Sequence, residues 1–167
     1  MKRKVLWFPF IAICLSIQPA ISQNIPPSNR YKAQQSSEVR MIPIAETKLI
    51  MEGIIHNNFR ALEKTLRGKP NGEEAWLIIR GQALLIAESG NLLLLRPPKN
   101  EGKASWYNQS LVLRNTAKLI GEYASDRKLI EVRDQFAKLS NVCNSCHQKF
   151  QVKESIHIFG EESPRKE

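Results

Sequence analysis

LIEVRDQFAKLSNVCNSCHQKF, residues 129–150, is the stretch on which the reading of this chain turns. In it Leu129, Val132, Phe136, Leu139, Cys143, Cys146 and Phe150 recur at steps of three, four, three, four, three and four. That unbroken heptad-like stripe marks a helix packed into a bundle. Asp126 or Ser125 can cap its start. The stripe ends in Cys143-Asn144-Ser145-Cys146-His147. Cys-x-x-Cys-His is the haem c attachment sequence: two thiols form thioethers to the porphyrin and the adjacent imidazole ligates iron. On a helix the spacing has a physical reason. Residues three and four apart share a face, so both thiols and the imidazole project the same way.

Other uses of two cysteines fit less well. A structural zinc site needs four N or S ligands. Beyond the motif only His56 and His157 remain, Cys14 being set aside below, and no second Cys-x-x-Cys exists. A thioredoxin-like pair belongs at a strand-to-helix turn in a βαβ unit, and no strand pattern is visible. A disulfide between Cys143 and Cys146 would strain a helix.

Working outward, Lys2, Arg3 and Lys4 precede an apolar run from Val5 to Ile17 broken only by Ser16, and Ala20-Ile21-Ser22 follows. Small residues at positions 20 and 22 suit a cut after Ser22, so residues 1–22 read as a secretory signal peptide, too short in its apolar run to span a membrane comfortably. An uncleaved anchor is the alternative. Cys14 lies inside this run and is discarded on cleavage. The mature chain then keeps only the motif cysteines. Export agrees with the motif, because haem c is attached outside the cytoplasmic membrane; the expected compartment is the periplasm. Without Lys2, Arg3 and Lys4, the 25 basic residues fall to 22 against 16 acidic, a net charge of +6. This mild excess lacks a basic-aromatic patch, excludes a nucleic-acid reading, and suits a protein that meets acidic redox partners.

Residues 23–41 read as a flexible leader with Pro26-Pro27. A first helix is expected from Pro43 to about Arg67, its stripe Ile44, Met51, Ile55, Leu62 and Leu66. A second runs from about Glu73 to Leu95, with Trp76, Ile79, Ala83, Ile86, Gly90 and Leu93 in its seam. Gly81 and Gly90 can admit close approach of a helix or of porphyrin, or Ser89-Gly90-Asn91 can interrupt the helix. A third runs from Ser105, as cap, to about Ala124, with Trp106, Ser110, Leu113, Ala117, Ile120 and Ala124 inward. The fourth is the opening stretch. Four helices with short connections give an all-α fold, an antiparallel up-down-up-down four-helix bundle over residues 42–152 with covalently bound haem. Residues 153–167 read as a loose charged tail.

Four such helices, with Cys-x-x-Cys-His near the end of the last, Phe150 three residues after the histidine and Trp106 opening the third, resemble the class II c-type cytochromes, the cytochrome c′ and c-556 family. The resemblance covers about Met41 to Gln151. Family members often carry Arg directly after that aromatic, where this chain has Gln151, which puts propionate pairing and redox tuning in question. The resemblance implies one covalent haem c on Cys143 and Cys146 with His147 as axial iron ligand. Low-spin members use a first-helix Met as sixth ligand; high-spin members leave that face open.

Met51 is the candidate here. His147 lies about 6 Å from the end of its helix and Met51 about 10 Å into the first, at 1.5 Å per residue. In an antiparallel bundle those levels can be bridged by a haem. His56 falls off the stripe and reads as a surface residue, and His157 lies in the tail. With His147 and Met51 both bound, iron stays six-coordinate and a one-electron carrier is expected. With Met51 unbound, the chain would bind nitric oxide or carbon monoxide instead. No paired carboxylates, triad or phosphate loop argue for an enzyme. The resemblance also allows a homodimer through the first two helices.

Overall fold

The computed structural model describes residues 41–159. The expected signal peptide, residues 23–40 of the leader and residues 160–167 lie outside the described residues. The described chain is all-helical, with four helices and no strand. α1 covers 47–67 as three consecutive pieces, Thr47–Ile50, a π-helical segment Met51–His56, and Asn57–Arg67. α2 is Gly72–Leu94, α3 Lys103–Ser125 and α4 Leu129–Lys149. α1 packs on α2, α2 on α3, and α3 on α4.

The three later helices bury the seams that their periodicity specifies. Ile79, Ala83, Ile86, Gly90 and Leu93 of α2 are buried and Trp76 is half-buried, while every seam residue expected in α3 is buried. In α4, Val132, Phe136 and Leu139 are fully enclosed, while Cys143, Cys146 and Phe150 are half-buried. α2 is long and apolar enough to cross a membrane by length and composition. Its seam nevertheless lies in the shared core, as in the central helix of a helical domain. It is continuous through Ser89-Gly90-Asn91, and the Ser89 hydroxyl donates to the Leu85 carbonyl at 2.8 Å. Two glycines set the α2–α3 distance. A Cβ on Gly90 would sit 2.8 Å from Arg114 Cβ and 2.9 Å from the Ser110 carbonyl oxygen, and one on Gly121 2.9 Å from Leu84 Cδ2. Gly81 faces open space, so of the two α2 glycines only Gly90 has the close approach expected of both.

α1 departs from its expected stripe. Ile55, Leu62 and Leu66 are buried as expected, together with Phe59. Ile44, however, precedes the helix and is 90% exposed, and the next buried position above Ile55 is Ile50, with Met51 half-buried beside it. The cause is the π segment. Its wider turn holds an extra residue, so the buried row moves up by five instead of four.

α3 and α4 end in the same way. Arg127, with φ of 55°, follows α3, and Lys128 N–H donates to the Tyr123 carbonyl at 3.0 Å. Gln151, with φ of 57°, follows α4; Val152 N–H donates to His147 O at 2.8 Å and Gln151 N–H to Gln148 O at 3.3 Å. These are Schellman endings with a side-chain-bearing residue in the left-handed position that glycine usually takes. Helix starts differ from expectation: Lys128 precedes α4 and Gly102 precedes α3, neither with a side-chain cap.

The ending at Gln151 turns the chain back over α4, which corrects the expectation of a loose tail for residues 153–159. Ile156 N–H donates to Asn144 Oδ1 at 2.7 Å, and Asn144 Nδ2 and Ser140 Oγ donate to the Ile156 carbonyl at 2.8 and 3.0 Å. Ile156 and Ile158 pack on the core while Ser155, His157 and Phe159 are exposed, the two-residue alternation of extended chain. Phe159 N–H donates to Glu63 Oε1 of α1 at 2.5 Å, and its ring meets Phe136 edge-on at 6.0 Å. Charge composition hid this segment, because only Ile156, Ile158 and the ring of Phe159 in it meet the core.

Candidate haem-attachment site

The last two turns of α4 carry the motif. Cys143, Cys146 and His147 all lie within the regular helix, so the co-facial placement read from their spacing is present in the backbone. At 100° per residue, Cys146 and Cys143 lie to one side of His147, and Ser140 and Asn144 to the other. The end of α4 is fixed by aromatic packing. Phe150 meets the Trp106 ring edge-on at 5.2 Å, and the Trp106 indole N–H donates to the Leu93 carbonyl at 2.7 Å. Arg96 joins α2 to the approach to α1, with Nε donating to the Ala45 carbonyl at 2.8 Å. The start of α1, the end of α2, the start of α3 and the end of α4 are thereby linked pairwise through neighbouring residues.

Electrostatically the thiols are quiet. Burial, with a smaller contribution from neighbouring Cys146, pushes the Cys143 thiol up to about 12, and burial also raises Cys146. Both are free thiols, unlike the low-pKa thiolate of a redox-exchange pair. Among the described residues no group of three His, Cys, Asp or Glu side chains is placed to hold a metal ion on its own.

His147 is half-buried, and its Nδ1 lies 2.8 Å from the Glu154 carbonyl oxygen. A carbonyl only accepts, so Nδ1 carries the proton and, in the neutral ring, Nε2 carries the free lone pair. This is the arrangement metal-ligating histidines adopt, with the second ring nitrogen donating to a fixed acceptor. The residues present therefore fit a covalently held haem: two protonated, uncrosslinked thiols on one helix face and an imidazole already in the ligating tautomer.

Met51 lies on α1, half-buried, and packs against the same core as Cys143. His56 and His157 are exposed, as expected of surface histidines. Glu63 was not singled out in the sequence. Its side chain is buried, salt-bridged to Arg60 at 2.9 Å and Arg67 at 3.3 Å, and it receives the Phe159 N–H. The signal was available, as arginines at minus three and plus four around one acid on a helix.

Comparison with protein-family models, with curated proteins and with solved structures returned no match.

Proposed function

We propose that this chain is a c-type cytochrome of the class II kind, carrying one electron through a haem held by Cys143, Cys146 and His147. The observation that carries the reading is the helix face that presents both thiols with an imidazole whose Nε2 is free. Bound there, haem iron supplies a one-electron ferric/ferrous couple. Cys143 and Cys146 would hold the porphyrin to α4 through thioethers, so that retention would not depend on a closed pocket. His147 would offer its Nε2 lone pair to the iron, with Nδ1–H held on the Glu154 carbonyl. Met51, from α1, would be the second candidate ligand, through its thioether sulfur. The all-helical fold is compatible with a bundle, and in an up-down-up-down bundle the start of α1 and the end of α4 would lie at one end. Export to the periplasm and docking on acidic redox partners complete the proposal, the first from residues 1–22 and the second from the net charge of +6 left once Lys2, Arg3 and Lys4 are removed.

A second reading, a five-coordinate haem protein that binds nitric oxide or carbon monoxide, is favoured by one observation. The π segment gives the fully buried place to Ile50 and leaves Met51 half-buried. Optical spectra of the exported protein separate the two. Electron transfer with Met51 bound predicts low-spin spectra in both oxidation states and no response to carbon monoxide at neutral pH. A high-spin ferrous spectrum that shifts on adding carbon monoxide would select gas binding.

A further inference from the structure

The chain that follows α4 makes a set of contacts that the attachment of a haem does not by itself require. The Gln151 ending reverses the chain, and 152–159 then descends α4 one register at a time, with Glu154 at His147, Ile156 at Asn144 and Ser140, and Phe159 at Phe136. Ile156 is held through both of its flanking peptide groups by the single Asn144 side chain, which accepts its N–H at 2.7 Å and donates to its carbonyl at 2.8 Å. Two residues earlier the Glu154 carbonyl meets the imidazole. Phe159 is fastened at the far end by the buried Glu63 carboxylate. The strap thus lies on the Ser140–Asn144 side of His147, and the thiols lie on the other. The imidazole between them turns Nδ1 to the strap, which leaves Nε2 as its other nitrogen.

We propose that residues 152–159 form a strap that positions the axial ligand: the Glu154 carbonyl fixes the tautomer and ring orientation of His147, and Asn144 fixes Glu154 by clamping Ile156. Asn144, a variable position inside the attachment motif, is thereby a positioning residue. The inference rests on the haem reading above and deepens it. A hydrogen bond from the far ring nitrogen makes imidazole a stronger donor to metal. Stronger donation favours the ferric state, so the strap lowers the reduction potential.

The test uses the full-length exported protein, Asn144→Ala, and a chain ended after Val152, each haem-stained on a denaturing gel and then studied in the ferrous state, with carbon monoxide added if the sixth position is open. Haem staining is expected in all three. In the full-length protein the His147 Nδ1 proton should give a slowly exchanging resonance, lost in both variants, whose reduction potentials should both be higher. Stained full-length protein with no protected ring proton, or potentials unchanged in both variants, would overturn the strap and leave attachment standing. Full-length protein that fails to stain would overturn attachment, and the strap with it.

Discussion

α1 and α4 contribute the two candidate iron ligands, and they obey their sequence patterns to different degrees. α4 is a regular helix from Leu129 to Lys149, whose three-and-four stripe passes from Val132 into the thiol pair without a break. α1 carries a π segment over Met51–His56, beginning at the candidate ligand. A heptad pattern fixes which residues face inward only while each turn holds the same number of residues. One wider turn is enough to exchange the places of two neighbours, here Ile50 and Met51. Wide turns of this kind are frequent at functional sites, so the irregular helix is where the proposed electron-transfer and gas-binding readings part.

The largest effect that would sharpen the contrast is in the fully buried ring of α4. Phe136 touches Phe59 of α1 with ring centroids 4.7 Å apart and Phe159 of the strap at 6.0 Å. Phe136→Ala should cost about 3–5 kcal/mol, the usual loss for a buried aromatic, as measured by denaturant unfolding. A loss under about 1 kcal/mol would mean that α4 is not the rigid partner.

A pH titration comes next and uses the thiols that only α4 possesses. In haem-free chain, burial raises Cys143 from the ordinary thiol value of 9.0 to about 12. The unfolded chain therefore gives up that proton first, so the contribution is fully present below pH 9.0 and is lost as pH rises toward 12. Stability of the unloaded chain should fall over that window, and the fall should vanish in Cys143→Ser. An equal fall in that variant would place the titration elsewhere.

Met51→Leu conserves volume in α1 and should cost under about 1.5 kcal/mol of stability. Its spectroscopic effect is the informative one: a low-spin haem should become high-spin in the ferrous state and acquire carbon monoxide binding. Identical spectra before and after the change would remove Met51 from the iron. The smallest effect concerns the end of α4. Gln151 holds a left-handed conformation that costs a side chain about 1–2 kcal/mol, so Gln151→Gly should raise the unfolding midpoint, with part of the gain offset by added freedom in the unfolded chain. A lower midpoint would show that the Gln151 side chain contributes more than its backbone strain removes.

Much of this was legible in the sequence, for identifiable reasons. The seams of α2, α3 and α4 follow from period alone because each helix is regular, and Gly90 marks the tight α2–α3 crossing. The thiol–thiol–imidazole face follows from the three-and-four spacing. The π segment left no trace in the hydrophobic pattern, since Ile50 and Met51 are both apolar and either fits a stripe. The strap was hidden differently. Gln151 occupies a position for which glycine is the usual signal, and a carbonyl that meets His147 belongs to the backbone of Glu154, whose side chain says nothing about it.

The most direct test of the central claim is made on the exported protein under denaturing conditions, by haem staining together with alkylation of its thiols before mass measurement. A covalently attached haem predicts a stained band and a mature chain in which neither Cys143 nor Cys146 takes up the reagent. An unstained chain that is alkylated at both would contradict it.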